Sequence, residues 1–150
     1  MKFITTCMLA TVATVLALPA SAQFAKPEDA VKYRQGALFV MGQHFSRIAA
    51  MANGRVPYDA KAAVENAEVV AAMSRLPWAG FTASTDMLSP RAKPEIWTEQ
   101  AKFKQHNEKL VGETGKLLAA AKTNNLDTLK AAFSSTAATC KGCHDVDRKD

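Results

Sequence analysis

The chain has 150 residues, 48% of them hydrophobic and 22% charged, with a formal net charge of +5. That is the size of one domain with enough apolar material for a core. Its Lys and Arg are scattered among acids rather than gathered into a stripe, which argues against a nucleic-acid partner, and three cysteines are too few for a disulfide framework.

Read in chain order, the first segment has the layout of a secretory signal. Lys2 gives a positive start, Phe3 to Leu18 an apolar stretch, and Pro19-Ala20-Ser21-Ala22 a small-residue cleavage site. With Thr5, Thr6, Thr11 and Thr14 inside it, the stretch is polar and short for a bilayer span, so no stable membrane insertion is expected. Cleavage after Ala22 makes residues 1–22 a signal peptide and 23–150 the working domain. It removes Lys2 and Cys7, leaving a charge of +4 and only Cys140 and Cys143. A mildly basic secreted protein is compatible with acidic redox partners.

Four segments then carry helical periodicity. The first follows Pro27-Glu28-Asp29 and places Val31, Arg34, Leu38, Met41, Phe45, Ile48 and Ala52 at steps of three and four, stopping at Asn53-Gly54. The second is capped by Asp59 and runs through Val64, Ala67, Ala71 and Ser74 to Leu76-Pro77. A longer connection, about 77–93, holds Trp78 and Phe81. The third helix is predicted from Pro94-Glu95, with a seam of Ile96, Phe103, His106 or Asn107, Leu110, Thr114, Leu117 and Ala121. After Thr123-Asn124-Asn125 the fourth carries Leu126, Leu129, Phe133, Thr136, Cys140 and Cys143. Nothing alternates at period two, so the expected fold is all-α, an antiparallel four-helix bundle.

The fourth segment ends in Cys140-Lys141-Gly142-Cys143-His144, the attachment pattern of a c-type haem. Residues i, i+3 and i+4 share a helix face, so two thiols can each bond one porphyrin vinyl while His144 reaches the iron. A thiol-redox pair, a plain disulfide, or a zinc site completed by His44 or His106 are the rival readings. The pair continues the inward seam of the last helix, which places one covalent haem c per chain inside the bundle, near the C-terminal end of that helix. Across an antiparallel bundle, the first helix offers Arg34, Leu38 and Met41 to the other side of the iron. A thioether there would give six-coordinate iron, whereas an aliphatic side chain would leave it five-coordinate.

Residues 23–35, Pro57-Tyr58-Asp59, Leu76 to Phe81, Pro94-Glu95-Ile96-Trp97 and Cys140 to Arg148 closely resemble bacterial cytochrome c′, across essentially the whole mature chain. The resemblance implies a periplasmic, homodimeric four-helix bundle paired through its first two helices, with high-spin haem c and a proximal histidine. Leu38 then corresponds to the family's distal apolar residue, and Arg34 with Gln35 to the haem-propionate region. Trp78 and Phe81 look like the pocket wall, and Arg148 like the basic residue on the proximal side. The chain departs from close relatives at Asp147, where an aromatic is common, and in the loop 82–93. Off the seam, Phe39, Val40, Val69, Val70 and Met73 read as the dimer face.

The function expected is a non-catalytic, periplasmic haem protein with five-coordinate iron that binds NO and CO and can transfer electrons. The alternative is a six-coordinate electron carrier with Met41 or His106 as sixth ligand. Peroxidase chemistry calls for a distal acid-base residue, and neither spare histidine is placed to serve.

Overall fold

The structure, a computed structural model, describes residues 23–149. The signal-peptide expectation for 1–22 lies outside the described residues. Among those described there are five helices and no strand. Helix α1, Pro27–Ala52, starts on a proline with Glu28 and Asp29 in its first turn, where acids favour the positive end of the helix dipole. It closes at Asn53, and Gly54 turns the chain at φ +68°, a value that glycine adopts without steric cost. Helix α2, Ala60–Met73, begins at Asp59, whose carboxylate accepts the Ala62 amide at 3.0 Å. Two short 3₁₀ turns, Pro77–Gly80 and Ala83–Thr85, lie in the long connection that follows.

The third predicted helix is divided. A single turn, α3 (Glu95–Thr98), precedes α4 (Gln100–Ala121) because Glu99 leaves the helical region at φ −113°, ψ 48°. This break re-aims the short turn. Ile96 is buried, and Trp97 donates its indole N–H to the Thr82 carbonyl at 2.9 Å. Helix α5, Leu126–Asp147, is capped by Asn125, which accepts the Thr128 amide at 2.9 Å.

The four long helices pack α1 on α2, α2 on α4, α4 on α5 and α5 back on α1, closing the bundle. Every seam position expected from the sequence is buried or half-buried. Ile48, Val70, Leu117 and Leu129 are among the most enclosed side chains, so burial of apolar area on one stripe of each helix is the main driving term. Most polar groups in the core are paired, as burial requires, the Tyr58 hydroxyl being buried without a partner. Ser74 and Thr114 hydroxyls meet at 2.9 Å between α2 and α4, and Thr136 donates to the Ala132 carbonyl at 2.9 Å.

Two expectations need correction. Val70 is 1% exposed and belongs to the core of its own bundle, with Met73 packed against that core. Phe39 (67% exposed) and Val40 (37%) do face outward. His44, off the seam predicted for the first helix and therefore expected in solvent, is half-buried and bonds Asn66 Oδ1 on α2 at 2.9 Å. No helix among the described residues is long and apolar enough to cross a membrane.

Candidate haem site

The last two turns of α5 carry the Cys-x-x-Cys-His sequence. Cys140 and Cys143 are free, half-buried thiols, and His144 is exposed. Burial pushes the Cys140 thiol up from its ordinary value. The Cys143 thiol is pushed up to about 12, first by burial, then by its hydrogen bond to Asp147 and the charge of that carboxylate. Both sulfurs are therefore held protonated at neutral pH.

These residues open on a cavity of about 770 Å³, within the range of sites that hold a cofactor. All nine residues singled out from the sequence line it: Arg34, Gln35 and Leu38 from α1, Trp78 and Phe81 from the connection, and Cys140, Cys143, His144 and Arg148 from the end of α5. The cavity forms because α1 and α5 are neighbours whose adjoining ends leave a gap. The connection 77–93 wraps that gap with Trp78, Phe81 and Pro90 to Ala92. Trp78 is fixed by donating to the Ser74 carbonyl at 2.6 Å, and Phe81 stacks edge-on against Phe103 with centroids 4.8 Å apart. Phe103 was legible only as a seam residue, yet it lines the cavity too.

Arg34 is 4% exposed and has no carboxylate within 4.0 Å among the described residues. Its guanidinium instead donates to the Gly80 carbonyl, to Thr85 Oγ1 at 2.8 Å and to Ser89 Oγ, and lies 4.3 Å from the centre of the Phe81 ring. Burial lowers its pKa. The two hydroxyls turn their own protons to the carbonyls of Thr82 and Thr85, leaving lone pairs for the arginine. A counter-charge on a neighbouring helix is thus not what Arg34 meets; the connection solvates it with neutral acceptors.

On the other flank, His106 Nδ1 donates to Asp147 Oδ2 at 2.6 Å, and the Cys143 thiol donates to the same oxygen at 3.3 Å. Asp147 is buried. The sequence marked both residues, His106 as a near-seam imidazole and Asp147 as a departure from relatives, but gave no sign that they pair.

A model of the cytochrome c′ family matches residues 29–148. The cytochrome c′ of Alcaligenes xylosoxydans is 49% identical over 127 residues, 85% of this chain and 98% of that one. The Rubrivivax gelatinosus protein is 45% identical over 82% and 96%. The chain belongs to the cytochrome c′ family. Solved cytochrome c′ structures agree in fold, one at 49% identity superposing with a TM-score of 0.80 over 85% of this chain and 100% of its own. Another, at 47% identity and TM-score 0.80, covering 85% and 99%, is the nitric oxide complex of a leucine-to-alanine mutant of the Alcaligenes xylosoxidans protein.

Cytochrome c′ proteins bind haem c, and the donor set here fits that group. Two thiols and an imidazole sit on one helix end beside a largely apolar cavity. A buried cation at its rim has only neutral partners, so an anionic group at the haem edge would find a charge to meet.

Proposed function

We propose that this cytochrome c′ is a periplasmic, non-catalytic haem c protein that binds NO and CO at an iron left five-coordinate by the protein. The haem supplies a redox-active iron with affinity for diatomic gases. Cys140 and Cys143 would hold it through thioethers and His144 would give the axial nitrogen. Arg34 and Gln35 would face the propionates, Trp78 and Phe81 would wall the ring, and Arg148 would lie on the proximal side.

The observation that carries this reading is the side chain α1 turns to the cavity between Arg34 and Met41: Leu38, half-buried, aliphatic, with neither a donor nor a ligand atom. Such a wall leaves space for a small apolar gas and nothing to stabilise charge on bound O₂. Of the two remaining histidines, His44 is bonded to Asn66 and does not line the cavity, and His106 lines it from α4, held through Nδ1 by Asp147 at the end of α5. Met41 is packed in the core cluster, one turn deeper. Electron transfer through the haem edge is the companion role.

Absorption spectra of the purified protein, oxidised and reduced, with and without NO and CO, test this directly. A high-spin spectrum that shifts with both gases is expected, and a low-spin, gas-insensitive spectrum would overturn it. In Leu38→Ala, which opens the distal wall, CO association should accelerate by about tenfold or more, equivalent to about 1.4 kcal/mol of barrier. Unchanged CO kinetics would remove Leu38 from the distal gate.

A further inference from the structure

The end of α5 does not stop at the haem motif. Arg148 leaves the helix in extended conformation and forms an antiparallel bridge opposite Ala92. Lys93 donates its amide to the Asp147 carbonyl at 3.0 Å, and Lys149 donates its amide to the Arg91 carbonyl at 2.9 Å. This pairing gathers Arg91, Lys93, Arg148 and Lys149 from two distant stretches of chain onto one edge. Arg91 and Arg148 also line the haem cavity, and the exposed His144 and Val146 lie on the adjoining last turn of α5.

Nothing described neutralises this edge. Among the described residues none of the four cations has a carboxylate within 4.0 Å. Asp147 is turned inward to His106 and Cys143, and Asp145 is taken by Lys141 at 2.5 Å. Lys93 Nζ donates to a backbone carbonyl, that of Asp145, at 3.1 Å. In the bridge register Arg91 falls opposite Lys149, and like charges in that relation destabilise a pairing. Lys93 thus holds the last turn of α5, while Arg91, Arg148 and Lys149 make no ion pair among the described residues that would serve the fold.

We infer that this cationic edge is the docking surface for an acidic redox protein, one whose own cofactor edge is ringed by carboxylates. The inference rests on haem occupying the cavity beside it, since one electron would then pass between that partner and the iron with no atom transferred. A compact cationic patch raises the encounter rate with an oppositely charged partner and orients it at that spot. Only Val146 is offered as an apolar contact on that turn, which favours a transient polar encounter over a permanent interface.

The test uses the haem-loaded protein. Oxidation of the ferrous form by ferricyanide, a trianion, is followed by stopped flow at low salt. The double reversal Arg91→Glu with Lys149→Glu should slow it about tenfold. The charge-matched reversal of Lys61 and Lys122, far from the cavity, should slow it less than about twofold, and salt beyond about 0.15 M should erase the difference. Equal slowing by both variants would assign the effect to net charge and overturn the patch.

In the unmodified protein, poly-glutamate activated with a carbodiimide should form amide adducts at Lys149 and Lys93 ahead of Lys61 and Lys122; evenly spread adducts would overturn it as well. So would co-sedimentation with phosphatidylserine vesicles at about 0.15 M salt, which would make the edge a membrane contact. Loss of the haem bands from the unmodified protein would sink the functional reading instead, and the adduct pattern would still decide the patch.

Discussion

Asp147 shows how one buried carboxylate changes the chemistry of its neighbours. Its carboxylate is buried between His106 and the Cys143 thiol, and through that contact it helps burial hold the thiol protonated up to about 12. In the haem-free chain this has a direction in pH. A thiol whose folded value lies above the ordinary 9.0 gives stability that is fully present below 9.0 and is lost as pH rises towards 12. The urea midpoint of the haem-free chain should therefore fall across that range. The fall should be absent from the loaded protein, whose sulfur sits in a thioether. Asp147→Asn removes the charge but leaves the burial, so iodoacetamide should alkylate Cys143 several-fold faster at pH 9 than in the unmodified haem-free chain. An unchanged rate would show that the carboxylate has no hold on the thiol.

The helices, and with them Arg34, Leu38, Cys140, Cys143 and His144, were legible because they depend on local spacing, whereas Gln35, Trp78, Phe81 and Arg148 were marked only by the family resemblance. Steps of three and four mark an inward stripe whatever the partners are, so Val31 to Ala52 and Leu126 to Cys143 could be placed by periodicity alone. The break at Glu99 could not, since neither proline nor glycine marks it and the reward comes from Ile96 and Trp97 packing elsewhere. Nor could the partners of Arg34, which lie 46 to 55 residues away in the connection. A buried charge advertises the need for a partner, never which one.

Gly80 is a point where that connection meets α1 closely. A Cβ there would stand 2.5 Å from the Ala30 carbonyl oxygen and 3.0 Å from Arg34 Cβ. Backbone cannot yield as a flexible side chain does, so Gly80→Ala should push the 77–80 turn off α1 and cost about 1–3 kcal/mol. Urea unfolding checks the cost. Hydrogen exchange should show the loss of protection confined to residues 77–89, the stretch Arg34 ties down.

On the scale of the whole molecule, the bundle closes its own core and still leaves apolar side chains outside. Val70 is taken into that core, which narrows the face proposed for pairing two copies to the outer side of α1, with Phe39 and Val40 exposed and Val69 only half-covered on α2. A dimer formed there is two-fold symmetric, so each residue near the axis meets its own copy or a near neighbour. One new charge per chain thus brings two unpaired charges into one contact. Val40 does not line the haem cavity, which makes Val40→Glu the cleaner probe than any change at Phe39. Burying an unpaired charge costs about 3 kcal/mol, so two cost about 6 kcal/mol and the dissociation constant should rise roughly 10,000-fold. Sedimentation velocity over a micromolar concentration series would read this as dimer giving way to monomer. If the unmodified protein sediments as a monomer throughout, Phe39 and Val40 are scattered surface apolar residues and the pairing proposal fails.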